Sequence, residues 1–375
     1  MVSDSSAILP VNKKPAAAAP RDSNLELFRI LLMLAIIAHH YVVNSGLDKF
    51  INADPTSGRS LFLLLFGAWG KTGINCFLMI TGFFMCKSRI TLKKYLKLVL
   101  EIEFYKIAIF IIFAFTGNTS CTPKLLAKAL SPVENISQGF SSCFVVFYLF
   151  IPFLNLLIDR MTEKSHRLLL ALLLFFYTIL PIGYVGVIFN YVTWFSIVYL
   201  IAAYVRCYPQ HFTASAKVSG CWFFGCIALS SLSVVALAYL APRHCYYLLS
   251  DSNKILAVAN AVSGFLFFKN LKIPYSKFIN AVASSVFGVL LIHANSDAMR
   301  KWLWEKTLRC TDFYDSPYLI LHAVLSVLGI YLICTVIDQL RIRFLERPFF
   351  RRFGAKLDEL QERFAKKYAD PPAKN

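Results

Sequence analysis

The chain has 375 residues, 57% of them hydrophobic and only 16% charged, with a mean hydropathy of +0.58. A soluble domain carries about a quarter charged residues, so this composition cannot cover a water-facing surface of the chain's size and excludes an ordinary soluble globule. The net charge of +18 reads as cytoplasmic loop charge of a membrane protein rather than as a nucleic-acid surface.

In chain order, residues 1–24 come first. They hold Lys13, Lys14, a Pro/Ala tract from Pro15 to Pro20 and Arg21, with no apolar core. That composition predicts a disordered cytoplasmic tail, not a signal peptide. Residues 25–350 then read as one membrane domain. A span needs about twenty apolar residues to cross roughly 30 Å of hydrocarbon. Candidate spans are Leu25–Val43, Leu61–Cys86, Leu96–Phe115, Phe140–Leu157, Leu168–Val187, Trp194–Cys207, Val218–Leu240, Ile255–Phe268, Ile279–His293 and Leu319–Ile337. The run from Leu168 to Tyr208 must turn near Pro181 and Gly183, because one helix of that length would overshoot the bilayer. The expected fold is therefore all-α, a polytopic bundle of about ten transmembrane helices.

With the N-terminus inside, alternate loops concentrate the Lys and Arg residues on the N-terminal side of the membrane. This bias predicts both termini in the cytoplasm. Residues 351–375 form a basic tail in which Leu357, Leu360, Phe364 and Tyr368 recur at helical spacing, which predicts an amphipathic helix lying on membrane lipid. Trp194, Trp302 and Trp304 read as interface anchors. The ten cysteines include no CxxC pair and no metal-ligand spacing, so no metal is expected. Cys76, Cys221, Cys226 and Cys334 sit in apolar runs as small core residues. Cys121, Cys143, Cys245 and Cys310 fall near outer loops, where sequence assigns no pairing.

Ionisable groups inside spans are costly and carry the functional signal. The first span holds Glu26, Arg29, His39 and His40. Arg29 and His40 are eleven residues apart, which comes to about 1100° of helix, within about 20° of three turns, so they share a face roughly 16 Å apart. His39 is rotated about 100° from His40 and is expected to face elsewhere. An Arg at the inner edge can hold donor phosphates, and a deeper His can act as a general base on a hydroxyl. Coenzyme A would bridge that gap. The same spacing also suits an Arg that reaches lipid phosphate and a His that bonds a neighbouring helix. In the second span Gly73 and Gly82 imply close helix approach, Asn75 needs a polar partner, and Lys87, Arg89, Lys93, Lys94 and Lys97 follow as a dense cytoplasmic cluster. Glu101 and Glu103 are expected to pair within their helix with Lys97 and Lys106. His293, Asn295 and Asp297 close the ninth span as candidate acceptor-binding groups.

Leu27-Phe28-Arg29, ten residues and then His40 resembles the first helix of the acyltransferase 3 family, whose signature is Arg/Lys-X10-His. The stretch from Gly73 to Phe84 is similar to its second-helix motif, Phe287-Gly288-Val289-Leu290-Leu291-Ile292-His293 to its late-helix motif, and Leu345-Glu346-Arg347-Pro348 to its closing motif. Thr81 stands where the family usually has Ser and Asn75 where it has an acid. Ala294 follows His293 where an acid is common.

The resemblance implies transfer of an acyl group, usually acetyl, from cytoplasmic acyl-CoA to a hydroxyl of a cell-surface polysaccharide or lipid-linked glycan at a bacterial plasma membrane. Acyl-CoA is then a donor substrate, with no tightly bound cofactor. His40 is the expected catalytic residue; Arg29, Lys87 and Arg89 are the expected donor contacts; and His293, Asn295 and Asn75 the expected acceptor contacts. A glycolipid or polysaccharide flippase with buried charges along its path is the alternative. The absence of any internal repeat weighs against an inverted-repeat transporter.

Overall fold

A computed structural model describes residues 22–367, apart from 138, 184, 188 and 210–213. Among these residues every regular element is helical. Helices stand at all the candidate spans: Ser23–Val43 (α1), Gly58–Gly67 (α2) and Gly70–Met85 (α3), Leu92–Phe115 (α4), Phe140–Arg160 (α5), Glu163–Leu174 (α6), Tyr191–Cys207 (α7), Ala216–Leu240 (α8), Ile255–Asn270 (α9), Lys277–Ala283 (α10) and Val286–Ala294 (α11), and Leu319–Arg341 (α12). By length and composition, seven segments are long and apolar enough to cross a membrane. The protein is a multi-pass membrane protein. The helix begun by α6 turns at Leu180–Gly183, next to the proline and glycine that sequence marks.

Local chemistry fixes where these helices start. Ser57, Thr91, Thr162, Asn190, Ser215 and Ser276 each accept a hydrogen bond from the backbone N–H three residues on. Each cap satisfies a donor that the first helical turn leaves unpaired. Helix α1 is the central post, packed against α2, α3, α9, α10, α11 and α12. It feeds two apolar cores, with Met33, Ile37 and Tyr41 in one and Leu25, Phe28 and Leu32 in the other. Helix α8 lies at the rim and turns Leu229, Leu232 and Leu240 outward, while α12 turns Leu332 and Ile333 outward. Apolar surface of this kind suits the hydrocarbon of a bilayer. Gly82 allows α3 to meet α7, since a Cβ there would lie 2.8 Å from the Ala202 side chain and 3.1 Å from the Tyr199 backbone.

Several expectations are corrected. Trp194 and Trp304 are fully buried and do not anchor an interface. Cys221 is exposed on α8, not in the core. All ten cysteines are free. Glu101 does not pair within its own helix but across the bundle with Arg341 at 3.0 Å. Lys97 reaches Glu346 at 2.7 Å, and Lys106 reaches Glu134 at 2.8 Å. Glu101 is buried and takes the guanidinium of Arg341, while Lys97 and Lys106 reach carboxylates outside α4.

The boundary expected at residue 350 falls inside a helix, Arg347–Lys367 (α13), reached from α12 through a π-helical turn at Ile342–Glu346. Phe353, Leu360 and Phe364 of α13 are exposed. Gln361 accepts a bond from the Leu92 N–H at 2.8 Å, tying α13 to the start of α4. The N-terminal tail expected over residues 1–24 lies outside the described residues up to position 21, as does Tyr368.

Candidate active site

A cavity of about 1000 Å³ runs along the bundle beside α1. Arg29, Lys94, Lys97 and Glu101 line one end. His39, His40, Lys71, Asn295, Asp297 and Arg300 line the other half, with Phe140, Phe144, Tyr148 and Tyr191 along the wall. Arg29 and His40 therefore open on one space, as their spacing requires.

The histidine end is assembled from three helices. His40 Nδ1 lies 3.0 Å from His293 Nε2 on α11, and His293 Nδ1 lies 2.6 Å from the Val289 carbonyl. These contacts fix the tautomers of the neutral rings. A carbonyl only accepts, so His293 carries its proton on Nδ1 and presents a bare Nε2. His40 must then donate from Nδ1, which leaves the His40 Nε2 lone pair free. Among the described residues no group bonds that nitrogen, and His40 is only half-buried against the cavity. An imidazole held in this way can serve as a general base, since its conjugate acid would keep the hydrogen bond to His293. His293 is fully buried and meets the cavity through its contact with His40.

His39 does not face away from the cavity. Its Nδ1 lies 2.6 Å from the Gly67 carbonyl, where α2 ends, and its ring stands 5.8 Å from that of His40. The helix break at Ala68–Trp69 brings both Gly67 and Gly70 against the ring. A Cβ on Gly70 would lie 2.3 Å from His39 Cγ, so only glycine fits there.

The other residues singled out by sequence divide in two groups. Asn295 lines the cavity and accepts from Ser141 Oγ at 2.6 Å. Asp297 also lines it, paired with Arg300, which donates to the Ala294 carbonyl at 3.0 Å. Arg29 is half-buried, with Glu26 3.4 Å away. Asn75 is not in the cavity lining. It donates to the Ser252 carbonyl at 2.7 Å and accepts from Trp194 Nε1 at 2.8 Å. Replacing Asn75 with Ala leaves two buried polar groups unpaired. The expected result is a loss of about 1–3 kcal/mol, read as a lower melting temperature in detergent, with the acceptor KM unchanged.

Lys87 and Arg89 are exposed and outside the lining, with Lys87 3.6 Å from Asp159. Lys94 and Lys97 line the cavity instead. Both ride on α4 beyond the Thr91 cap, whereas Lys93 on the same helix pairs with Asp358 of α13 and lies outside the lining. Sequence reasoning passed over Lys71 and Arg300 as loop charges. Lys71 bonds Tyr191 Oη at 2.8 Å and pairs with Asp251 at 3.3 Å.

The described residues thus form a membrane helix bundle in which one cavity joins a cation-lined end to a hydrogen-bonded histidine pair. The acyltransferase 3 family model, described as an acyltransferase domain, matches residues 22–338, and the chain belongs to that family. It is an acyltransferase. No curated protein and no solved structure matches the chain.

Proposed function

We propose that the protein moves an acyl group, most simply acetyl, from cytoplasmic acyl-CoA to a hydroxyl of a cell-surface polysaccharide or lipid-linked glycan. In this reading both termini are cytoplasmic, the bundle crosses a bacterial plasma membrane about ten times, and the Arg29 end of the cavity faces the cytoplasm. The supporting observation is the single cavity that joins Arg29, Lys94 and Lys97 to the free Nε2 of His40.

Donor phosphates would sit on the cations at the inner end, where charge-assisted hydrogen bonds are strong. The extended arm of the donor would carry the thioester up the cavity. His40 Nε2 would take the proton of the acceptor hydroxyl as its oxygen attacks the acyl carbon, and the coenzyme leaves as thiol. Lys71 and Arg300, on either side of the dyad, would favour the negative charge that develops on the carbonyl oxygen. Phe140, Phe144, Tyr148 and Tyr191 offer flat apolar faces for a sugar ring.

The direct test is release of free coenzyme A thiol by purified protein in liposomes supplied with acetyl-CoA and an envelope-lipid extract. Thiol release that depends on the extract supports the reading; no release removes it. The double variant Lys94→Ala/Lys97→Ala should raise the apparent KM for acetyl-CoA by about tenfold or more. Lys87→Ala/Arg89→Ala should leave it near the wild-type value.

A further inference from the structure

The transfer just described uses one bare imidazole, yet the cavity holds two. His39 is built in with as much structure as His40: the Gly67 carbonyl fixes its Nδ1 proton, and Gly70 clears a seat for the ring. That tautomer leaves Nε2 with its lone pair. Among the described residues nothing bonds that nitrogen, and the half-buried ring lines the cavity.

The two rings differ in what holds Nδ1. His40 leans on a second imidazole, which helps it carry an added proton. His39 leans on a backbone carbonyl, which orients the ring and keeps its Nδ1 proton in place. The first arrangement suits a base; the second suits a nucleophile, because an imidazole acylated on Nε2 while its Nδ1–H stays bonded to a carbonyl remains a cationic, strongly electrophilic acyl donor.

We propose that His39 is the nucleophile of a two-step transfer and carries the acyl group as an Nε2-acylimidazole between coenzyme A and the acceptor. The proposal rests on acyl-CoA as donor. In the first step His39 Nε2 attacks the thioester carbonyl, the C–S bond breaks, and the coenzyme leaves as thiolate with the bonding pair. In the second step the acceptor oxygen attacks the acyl carbon while His40 Nε2 takes the hydroxyl proton. The C–N bond breaks and its pair returns to His39 Nε2. His40 then gives its proton to the thiolate or to water, so the sum is acyl-CoA plus alcohol to ester plus thiol.

A covalent acyl-enzyme makes one half-reaction reversible without acceptor. The test is exchange of isotopically labelled coenzyme A into acetyl-CoA by full-length protein in liposomes, with no acceptor added. Wild type should exchange. His39→Asn keeps a side-chain N–H for the Gly67 carbonyl but has no nucleophilic nitrogen, and should lower exchange at least about 100-fold. His40→Ala should still exchange while failing to transfer to an envelope-lipid extract. Exchange at the wild-type rate in His39→Asn overturns the proposal, as does a wild type that transfers to the extract without any exchange. If wild type neither exchanges nor transfers from acetyl-CoA, the donor reading fails and the proposal fails with it.

Discussion

His40→Ala should lower acyl transfer at saturating donor by about 10²–10⁴-fold, the usual range for removing a general base. The donor KM should stay near wild type, because His40 lies about 16 Å along α1 from Arg29 and touches no residue of the cation-lined end. His293→Ala should cost less, because it removes the group that locks His40 in the productive tautomer and leaves the base itself. His293→Gln, whose side-chain carbonyl oxygen can still accept from His40 Nδ1–H, should fall between the alanine variant and wild type. A His40→Ala protein that transfers at the wild-type rate would remove His40 from the chemistry.

The second large effect is on stability. Arg341 is only 7% exposed and bonds three carboxylates: Glu101 at 3.0 Å, Asp338 at 2.8 Å and Glu346 at 3.0 Å. Tyr105 Oη donates to the same Asp338 oxygen at 2.7 Å. Asp338 is fully buried. Arg341→Ala would leave these acids without their central cation inside the bundle. Removing one partner of a buried ion pair costs about 3–5 kcal/mol, so the variant should lose its monodisperse peak in detergent at a clearly lower temperature. Arg341→Lys should fall between, since an ammonium cannot fork to several carboxylates. Adding Asp338→Asn and Glu101→Gln to Arg341→Ala should restore part of the loss. A melting temperature equal to wild type in Arg341→Ala would refute the cluster as a structural clamp. Because Lys97 pairs with Glu346 and also lines the cavity, the clamp holds one wall of the donor end.

The parts of this architecture that depend on local periodicity were legible in the sequence. Each candidate span holds helix because hydropathy and length decide that in a bilayer, though Leu61–Cys86 and Ile279–His293 each divide into two helices. Arg29 and His40 share the cavity because eleven residues nearly close three turns, a property of one helix alone. The turn at Pro181 and the amphipathic tail follow from the same local rules.

What stayed hidden depends on which helices meet. His40 and His293 are 253 positions apart in sequence, so no spacing could pair them, and His293 read as a loop-end acceptor contact. Helical arithmetic placed His39 a third of a turn away from His40, but could not show that both rings line the same cavity, with His39 held at the α2–α3 break. Asn75 read in its span as an amide in need of a polar partner, and Trp194 and Ser252, distant in sequence, supply those hydrogen bonds. The basic cluster from Lys87 to Lys97 was visible as a cluster, but which of its members line the cavity depends on how α4 packs, since Lys94 and Lys97 line it and Lys87, Arg89 and Lys93 do not.

The account turns on His40 performing acyl transfer, and one comparison tests this most directly. Envelope glycans from cells carrying the wild-type protein and from cells carrying His40→Ala at equal membrane abundance would be compared by mass spectrometry. The account predicts a glycan heavier by one acyl group with the wild type and absent with His40→Ala. The same acylated glycan at equal abundance in both would contradict it.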